Sequence, residues 1–412
     1  MTVERCRICD TTLQHVFVDL GMSPIANDYV ATDKANAMEP FYPLCVYVCD
    51  SCWLVQLPAV QSADSIFRED YAYFSSVSKS WLAHAKNYVD SVSERFGIGR
   101  DHSVVEIASN DGYLLQYFRE RQVPVLGIEP CGNVAAAAEK IGVPSLVEFF
   151  GRDLARRLVA ERKRPDLVIG NNVLAHVPDL RDFVGGLKIL LAENGVITME
   201  FPHLEKLIGL NQFDTIYHEH FSYFSFIAVQ NVFAIHGLRI FDVEELSTHG
   251  GSLRIYGCHA DDTGNETSGR VTALADRERS AGFDDLAIYK GFEKKVHRTK
   301  RELLKFLITA REEGKRVVGY GAPAKGNTLL NYCGVRTDLV EFTVDMAPSK
   351  QGTLLPGVRI PVFEPGRILA EKPDYVLILP WNIKDEIVRN MAAVRDWGGR
   401  FLVPIPEVRL LD

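Results

Sequence analysis

Two C-x-x-C turns, Cys6-Arg7-Ile8-Cys9 and Cys49-Asp50-Ser51-Cys52, are the first residues whose spacing suits chemistry. Each turn presents two thiolates from one tight loop, and zinc takes four soft ligands in a tetrahedron. The pairs stand 39 residues apart, farther than in a common zinc ribbon. Cys45 is not spaced as a C-x-x-C partner of Cys49 and is read as a strand residue. Four thiolates leave no open position, so the expected zinc is structural; the alternative reading is four buried, reduced cysteines. The chain has eight cysteines in 412 residues, five of them before residue 53, which suits a metal better than a disulfide scaffold.

A second set lies in Val105-Glu106-Ile107-Ala108-Ser109-Asn110-Asp111-Gly112-Tyr113, read as the end of a strand and the start of a helix. Small residues at such a turn let the backbone approach a ligand. Glu129 ends the next strand, where a carboxylate accepts hydrogen bonds from a ribose. A pyrophosphate cradle would show G-x-G-x-x-G, and this loop has Gly112 alone. An acidic loop suits a cofactor without phosphate and with a cationic centre, which describes S-adenosylmethionine. Glu106, Ala108, Asn110, Asp111, Gly112, Glu129 and Asn171 are the expected cofactor residues; the alternative is a tight turn without ligand.

Titratable groups form a third set. Tyr217-His218-Glu219-His220 follows the fifth strand of the alternation, and His176 follows the fourth, so both reach the carboxyl-terminal edge of one sheet, where open α/β sheets bind ligands. A lone His176 also reads as a helix-capping or core histidine, and the cluster also reads as structural or as a His/Glu metal site.

A fourth set is Gly319 to Thr328 (GYGAPAKGNT), again between a strand and a helix. Its backbone amides and Lys325 suit a diphosphate at a helix N-terminus. Asn327 shares that loop, Asp345, Ser349 and Lys350 follow the next strand, and Trp381-Asn382 follow a later one, so the three loops converge on one crevice. An ordinary α/β turn is the alternative.

The elements that must position these residues follow from the pattern of the chain. Short β-branched runs at Ser103–Ala108, Val123–Glu129, Leu146–Phe150, Asp166–Asn171 and Gly195–Phe201 alternate with helical stretches, which predicts parallel strands with crossover helices. Leu238–Val243 and Ser252–Cys258 are joined by too few residues for a crossover and should pair antiparallel. Five parallel strands ending in an antiparallel hairpin form a class I methyltransferase sheet. A long charged helix over 279–313 leads into a second alternation at Arg316–Tyr320, Leu339–Val344, Tyr375–Leu379 and Phe401–Val403. The expected fold class is therefore α/β in three parts. These are a small zinc-binding domain (1–65), a central Rossmann-like, seven-stranded methyltransferase domain (66–259) and a smaller α/β domain (260–412).

Composition bounds the rest. With 47% hydrophobic and 24% charged residues the chain is globular, and 46 basic against 54 acidic residues give a net charge of −8 without a basic block. Nucleic acid is disfavoured as a partner. With no membrane-length apolar run and no secretory pattern at its start, the chain is expected to be cytoplasmic and away from membranes.

Taken together, SNDGYLL, YHEHFSYFS (217–225), THGGSLR (248–254), GYGAPAKGNT and VDMAPSKQG make the whole chain resemble the S-adenosylmethionine-dependent sugar C-methyltransferases of deoxysugar biosynthesis. Ala108 departs from the first loop glycine of many methyltransferases. The resemblance implies methyl transfer to a ring carbon, C-3, beside the ketone of a dTDP- or GDP-linked 4-keto sugar. It also implies that the C-terminal domain grips the nucleotide through Lys325, Asn327, Asp345, Lys350, Trp381 and Asn382. Tyr217, Glu219, His220 and His176 match residues that surround the sugar in that family, and Tyr71 resembles a further substrate-side tyrosine. His220 is then the expected base, His176 and Tyr217 the enolate donors, and Glu219 the group that orients a histidine. An imidazole near pKa 6.5 faces a carbon acid weaker by on the order of ten units, a deficit above about 10 kcal/mol that donors to the enolate oxygen must offset. Methylation of another keto substrate, methylation at oxygen or nitrogen, and a zinc-ribbon interaction protein with a degenerate methyltransferase domain are the competing readings.

Overall fold

The computed structural model describes residues 4–61, 74–161 and 164–411, arranged around three principal sheets. The first sheet contains β1 (His15–Ser23), β3 (Tyr42–Val48) and β4 (Val55–Gln56), with the two-residue β2 (Val30–Ala31) set apart from it. Along β3 Leu44, Val46 and Val48 face the core while Cys45 takes the alternate face, as period-two alternation requires.

The central sheet contains β5 (Val104–Ile107), β6 (Val125–Ile128), β7 (Ser145–Leu146), β8 (Leu167–Asn171) and β9 (Val196–Pro202), all parallel. After β10 (Ser222–Tyr223), β11 (Leu238–Leu246) and β12 (Ser252–His259) add the antiparallel hairpin. The order β11-β12-β9-β8-β5-β6-β7 reverses between β5 and β8, which places the ligand crevice at the carboxyl ends of those two strands. Strands buried on both faces read as continuous apolar runs, and β5 and β8 are buried throughout.

The third sheet contains β13 (Val317–Tyr320), β14 (Thr343–Val344), β16 (Val362–Phe363), β17 (Tyr375–Ile378), β18 (Arg400–Val403) and β19 (Arg409–Leu411). Its order, β16-β14-β13-β17-β18-β19, switches at β13 and β17, so the loops carrying Lys325 and Asn382 face each other.

Two small ladders join the parts. The strand β10 pairs with β4, so the chain just after Tyr217–His220 belongs to the first sheet. In the same way β15 (Thr353–Leu354) pairs with β2.

Several expected boundaries move. The third parallel strand is two residues long and ends at Leu146, and the strand expected over Leu339–Val344 is confined to Thr343–Val344. The helix expected over 279–313 breaks into Gly269–Ser280, Leu286–Lys290 and Phe292–Glu312. Gly282 turns left-handed at φ +88°, and the Asp285 side chain accepts a hydrogen bond from the Ala287 N–H, which starts a new helix. Among the described residues no helix is long and apolar enough to cross a membrane.

Candidate active site

The cysteine turns are two copies of one local structure. Asp10 N–H donates to the Cys6 carbonyl and Trp53 N–H to the Cys49 carbonyl, each at 3.0 Å, and both donors sit in left-handed backbone, at φ +64° and +63°. The four sulfurs lie within 4.8 Å of one another, with Cys6–Cys52 at 3.5 Å and Cys9–Cys49 at 3.4 Å. Such distances are far too long for disulfides and close to the roughly 3.8 Å edge of a tetrahedral zinc–thiolate site. The residues fit structural zinc.

A cavity of about 950 Å³ opens where all three parts meet. One arm carries the cofactor residues. Ala108, Asn110, Glu129 and Asn171 line it, whereas Glu106, Asp111 and Gly112 lie behind its surface. Glu129 accepts hydrogen bonds from the N–H groups of Asn110 (3.0 Å) and Cys131 (2.9 Å), and burial pushes its carboxyl up. The side chains of Asn110 and Asp111 accept from the N–H groups of Ser75 and Ser76, tying the loop to the turn before the helix Lys79–Phe96. Glu106 is wholly buried, which raises its carboxyl well above the ordinary value. Asn171 donates to the Tyr113 hydroxyl at 3.3 Å, and its buried Oδ1 has no hydrogen-bond partner among the described residues. These acidic and amide groups, with no phosphate cradle, fit S-adenosylmethionine. Ala108 stands at φ +57°, where a β-carbon costs roughly 1–2 kcal/mol, so the residue departing from glycine still adopts a glycine-like turn.

The second part of the cavity holds the titratable cluster. His220 Nδ1–H donates to the Thr215 carbonyl at 2.8 Å, which leaves Nε2 its lone pair, and the Tyr217 hydroxyl donates to Nε2 at 2.8 Å. The rings of His176 and His220 meet edge to face at 4.7 Å. Burial, His176 and Lys325 hold His220 well below the usual imidazole value, and burial brings His176 down to about 4, its ring bonded to the backbone carbonyl of Glu219. Both are therefore neutral near pH 7. The Glu219 side chain does not reach a histidine: Oε1 accepts from Asn27 Nδ2 at 2.7 Å, and burial pushes the carboxyl up to about 7. His218 turns the other way and meets the Pro43 carbonyl at 3.2 Å. Tyr71 lies outside the described residues.

Lys325, Lys350 and Asn382 line the third part. Lys325 Nζ donates to Asn382 Oδ1 at 2.7 Å and sits 4.5 Å from the centre of the Trp381 ring. The other three expected substrate residues support this surface from behind. Asn327 donates to the Ala26 carbonyl at 2.6 Å, Asp345 accepts from the N–H groups of Ala322 and Ala347, and Trp381 donates from its indole to Asp214 at 2.7 Å.

Residues not anticipated from sequence complete the walls. Asn27, Asp28 and Tyr29 come from the small N-terminal domain, and Tyr29 donates to the Ala322 carbonyl of the C-terminal part. Trp81 and His249 also line the cavity, Trp81 stacking on Tyr113 and meeting His249 edge-on. A signal was present only for His249, which sits in the THGGSLR motif.

Comparison with known proteins bears on this arrangement. Residues 6–67 match a zinc binding domain, 81–243 a methyltransferase domain, and 247–406 the C-methyltransferase C-terminal domain. The C-methyltransferase NovU of Streptomyces niveus is 36% identical over 410 residues, covering 100% of this chain and 97% of that protein. Among solved structures, magnesium protoporphyrin IX methyltransferase of Synechocystis with bound S-adenosylmethionine is 12% identical with a TM-score of 0.33, over 43% of this chain and 79% of that one. The PH0226 protein of Pyrococcus horikoshii is 15% identical with a TM-score of 0.37, over 48% and 99%. With more than a third of its residues shared along the full length of NovU, and each of its parts matching a domain of such enzymes, this chain belongs to the S-adenosylmethionine-dependent C-methyltransferases.

Proposed function

We propose that the acceptor is a nucleotide-linked 4-keto deoxysugar, carried on dTDP or GDP, and that the methyl group goes to C-3, beside the ketone. The supporting observation is the order of groups along one cavity. Glu129, Asn171, the imidazoles, Lys325, Lys350 and Asn382 line one cavity, and contacts link its parts in turn. Asn171 bonds Tyr113, Trp81 stacks on Tyr113 and meets His249, and His249 faces both His220 and Lys325, an order that suits donor, reacting carbon and diphosphate. In this reading the work divides near residues 65 and 259 among metal-bound wall, methyl transfer and nucleotide grip, and the enzyme is cytoplasmic.

Bound S-adenosylmethionine supplies an electrophilic methyl group; the chain supplies the carbanion chemistry. His220 is the proton acceptor. Because the Tyr217 hydroxyl already donates to its Nε2, the proton from carbon passes to the Tyr217 oxygen as the phenol proton moves to the imidazole. A base held below its usual pKa is weaker, so stabilising the enolate matters more. A neutral His176 uses its N–H on the Glu219 carbonyl, which leaves the Glu219 carboxyl, half protonated near pH 7, as the donor facing the enolate oxygen.

A nucleoside diphosphate should raise the melting temperature of the protein, and Lys325→Ala should weaken that ligand by roughly 10- to 100-fold, the value of a charge-assisted hydrogen bond. Affinity for S-adenosylhomocysteine, measured by calorimetry on the same variant, should stay unchanged. Equal loss of both affinities would trace the effect to misfolding and remove the support for this nucleotide site.

A further inference from the structure

The turn between β11 and β12 carries His249, and neither the cofactor arm nor the proton path uses it. The turn is held on both sides. Thr248 Oγ1 donates to Glu200 Oε1 at 2.9 Å, and that buried carboxylate is bound by Arg254 at 2.7 Å. Gln212 donates to the Gly250 carbonyl at 2.8 Å, and a β-carbon on Gly250 would lie 2.7 Å from the Trp381 ring. Between these anchors His249 itself sits at φ +54°, a left-handed conformation that suits glycine, although glycine occupies the next two positions.

Its side chain has an unmatched polar atom. Nδ1 is buried without a hydrogen-bond partner among the described residues, while the ring lines the cavity and meets Trp81 edge-on at 5.1 Å. Trp81 stacks in turn on Tyr113 of the cofactor arm. His249 also lies within electrostatic range of His220 and Lys325, so it stands between the methyl donor and the diphosphate grip. Burial and Lys325 bring its imidazole down to about 4, which leaves a neutral ring with one N–H and one lone pair. Protein covers Nδ1, but Nε2 is not covered and has no hydrogen-bond partner among the described residues, and an unpreferred backbone angle combined with such a nitrogen on a cavity-lining ring marks a ligand contact.

We propose that His249 is a further substrate-binding residue, one that hydrogen-bonds a hydroxyl of the sugar ring and, with Trp81, forms the wall against which that ring is held. The inference rests on the nucleotide-sugar reading above.

Calorimetry with thymidine diphosphate and thymidine diphosphate-glucose, and with their guanosine counterparts, in the presence of S-adenosylhomocysteine tests it. Wild-type protein should bind one sugar nucleotide about 10-fold more tightly than its bare diphosphate, a hydrogen bond's worth. His249→Gly removes the ring and relaxes the backbone, so it should melt no lower than wild type and keep its diphosphate affinity, yet lose that increment. His249→Asn, which tolerates left-handed backbone and keeps a donor and an acceptor, should retain part of it. An increment intact in His249→Gly overturns the proposal, as does an equal loss of diphosphate affinity in both variants, which would make His249 part of the scaffold. A wild-type protein showing no increment would instead reject the nucleotide-sugar reading, and the inference with it.

Discussion

The Cys6→Ser, Cys49→Ser double variant loses its zinc, the fold of its first 60 or so residues, and methyl transfer together. Structural zinc contributes roughly 10–16 kcal/mol to a small domain, as much as the whole net stability of about 5–15 kcal/mol. The first region is too small to replace that with apolar burial. Catalysis depends on it because Asn27 holds Glu219 and Tyr29 reaches the Ala322 carbonyl from this region. Metal analysis, circular dichroism and turnover on one preparation check the three losses. A metal-free protein that stays fully folded and active would contradict the assignment.

His220→Asn should bind cofactor and acceptor normally but lose about 10²- to 10⁴-fold in proton removal, the usual value of one general base. The readout is solvent deuterium exchange at the carbon beside the ketone, with S-adenosylhomocysteine in place of the donor, so methyl transfer does not obscure the step. Because the Tyr217 hydroxyl lies between Nε2 and the cavity in the proposed path, Tyr217→Phe should lose exchange to a similar degree. Normal exchange in Tyr217→Phe with loss in His220→Asn would show direct abstraction by the imidazole. Normal exchange in His220→Asn would remove His220 as the base.

Much of this was legible in the sequence where the signal is local. The runs that became β5, β8 and β9 are apolar because both faces are covered, and the short link between β11 and β12 permits only a hairpin. The C-x-x-C turns are likewise complete within four residues each. What escaped is non-local. The two-residue ladders β10–β4 and β15–β2 have no period to detect, yet they carry Tyr217–His220 and Val30–Ala31 to their neighbours. Asn27 pairs with a glutamate 192 residues away, a contact without sequence signature. For the same reason Asn327, Asp345 and Trp381 read as ligand-facing residues of converging loops, while the structure uses their polar atoms to brace those loops.

Transfer from S-adenosylmethionine carrying a ¹³C-labelled methyl group to a nucleotide-linked 4-keto-6-deoxy sugar tests the central claim most directly. Carbon NMR of the product should show the label as a methyl bonded to the ring carbon beside the ketone, coupled to that carbon and not to a heteroatom. Label found as an O-methyl or N-methyl group, or no transfer to any dTDP- or GDP-linked keto sugar, would contradict the account.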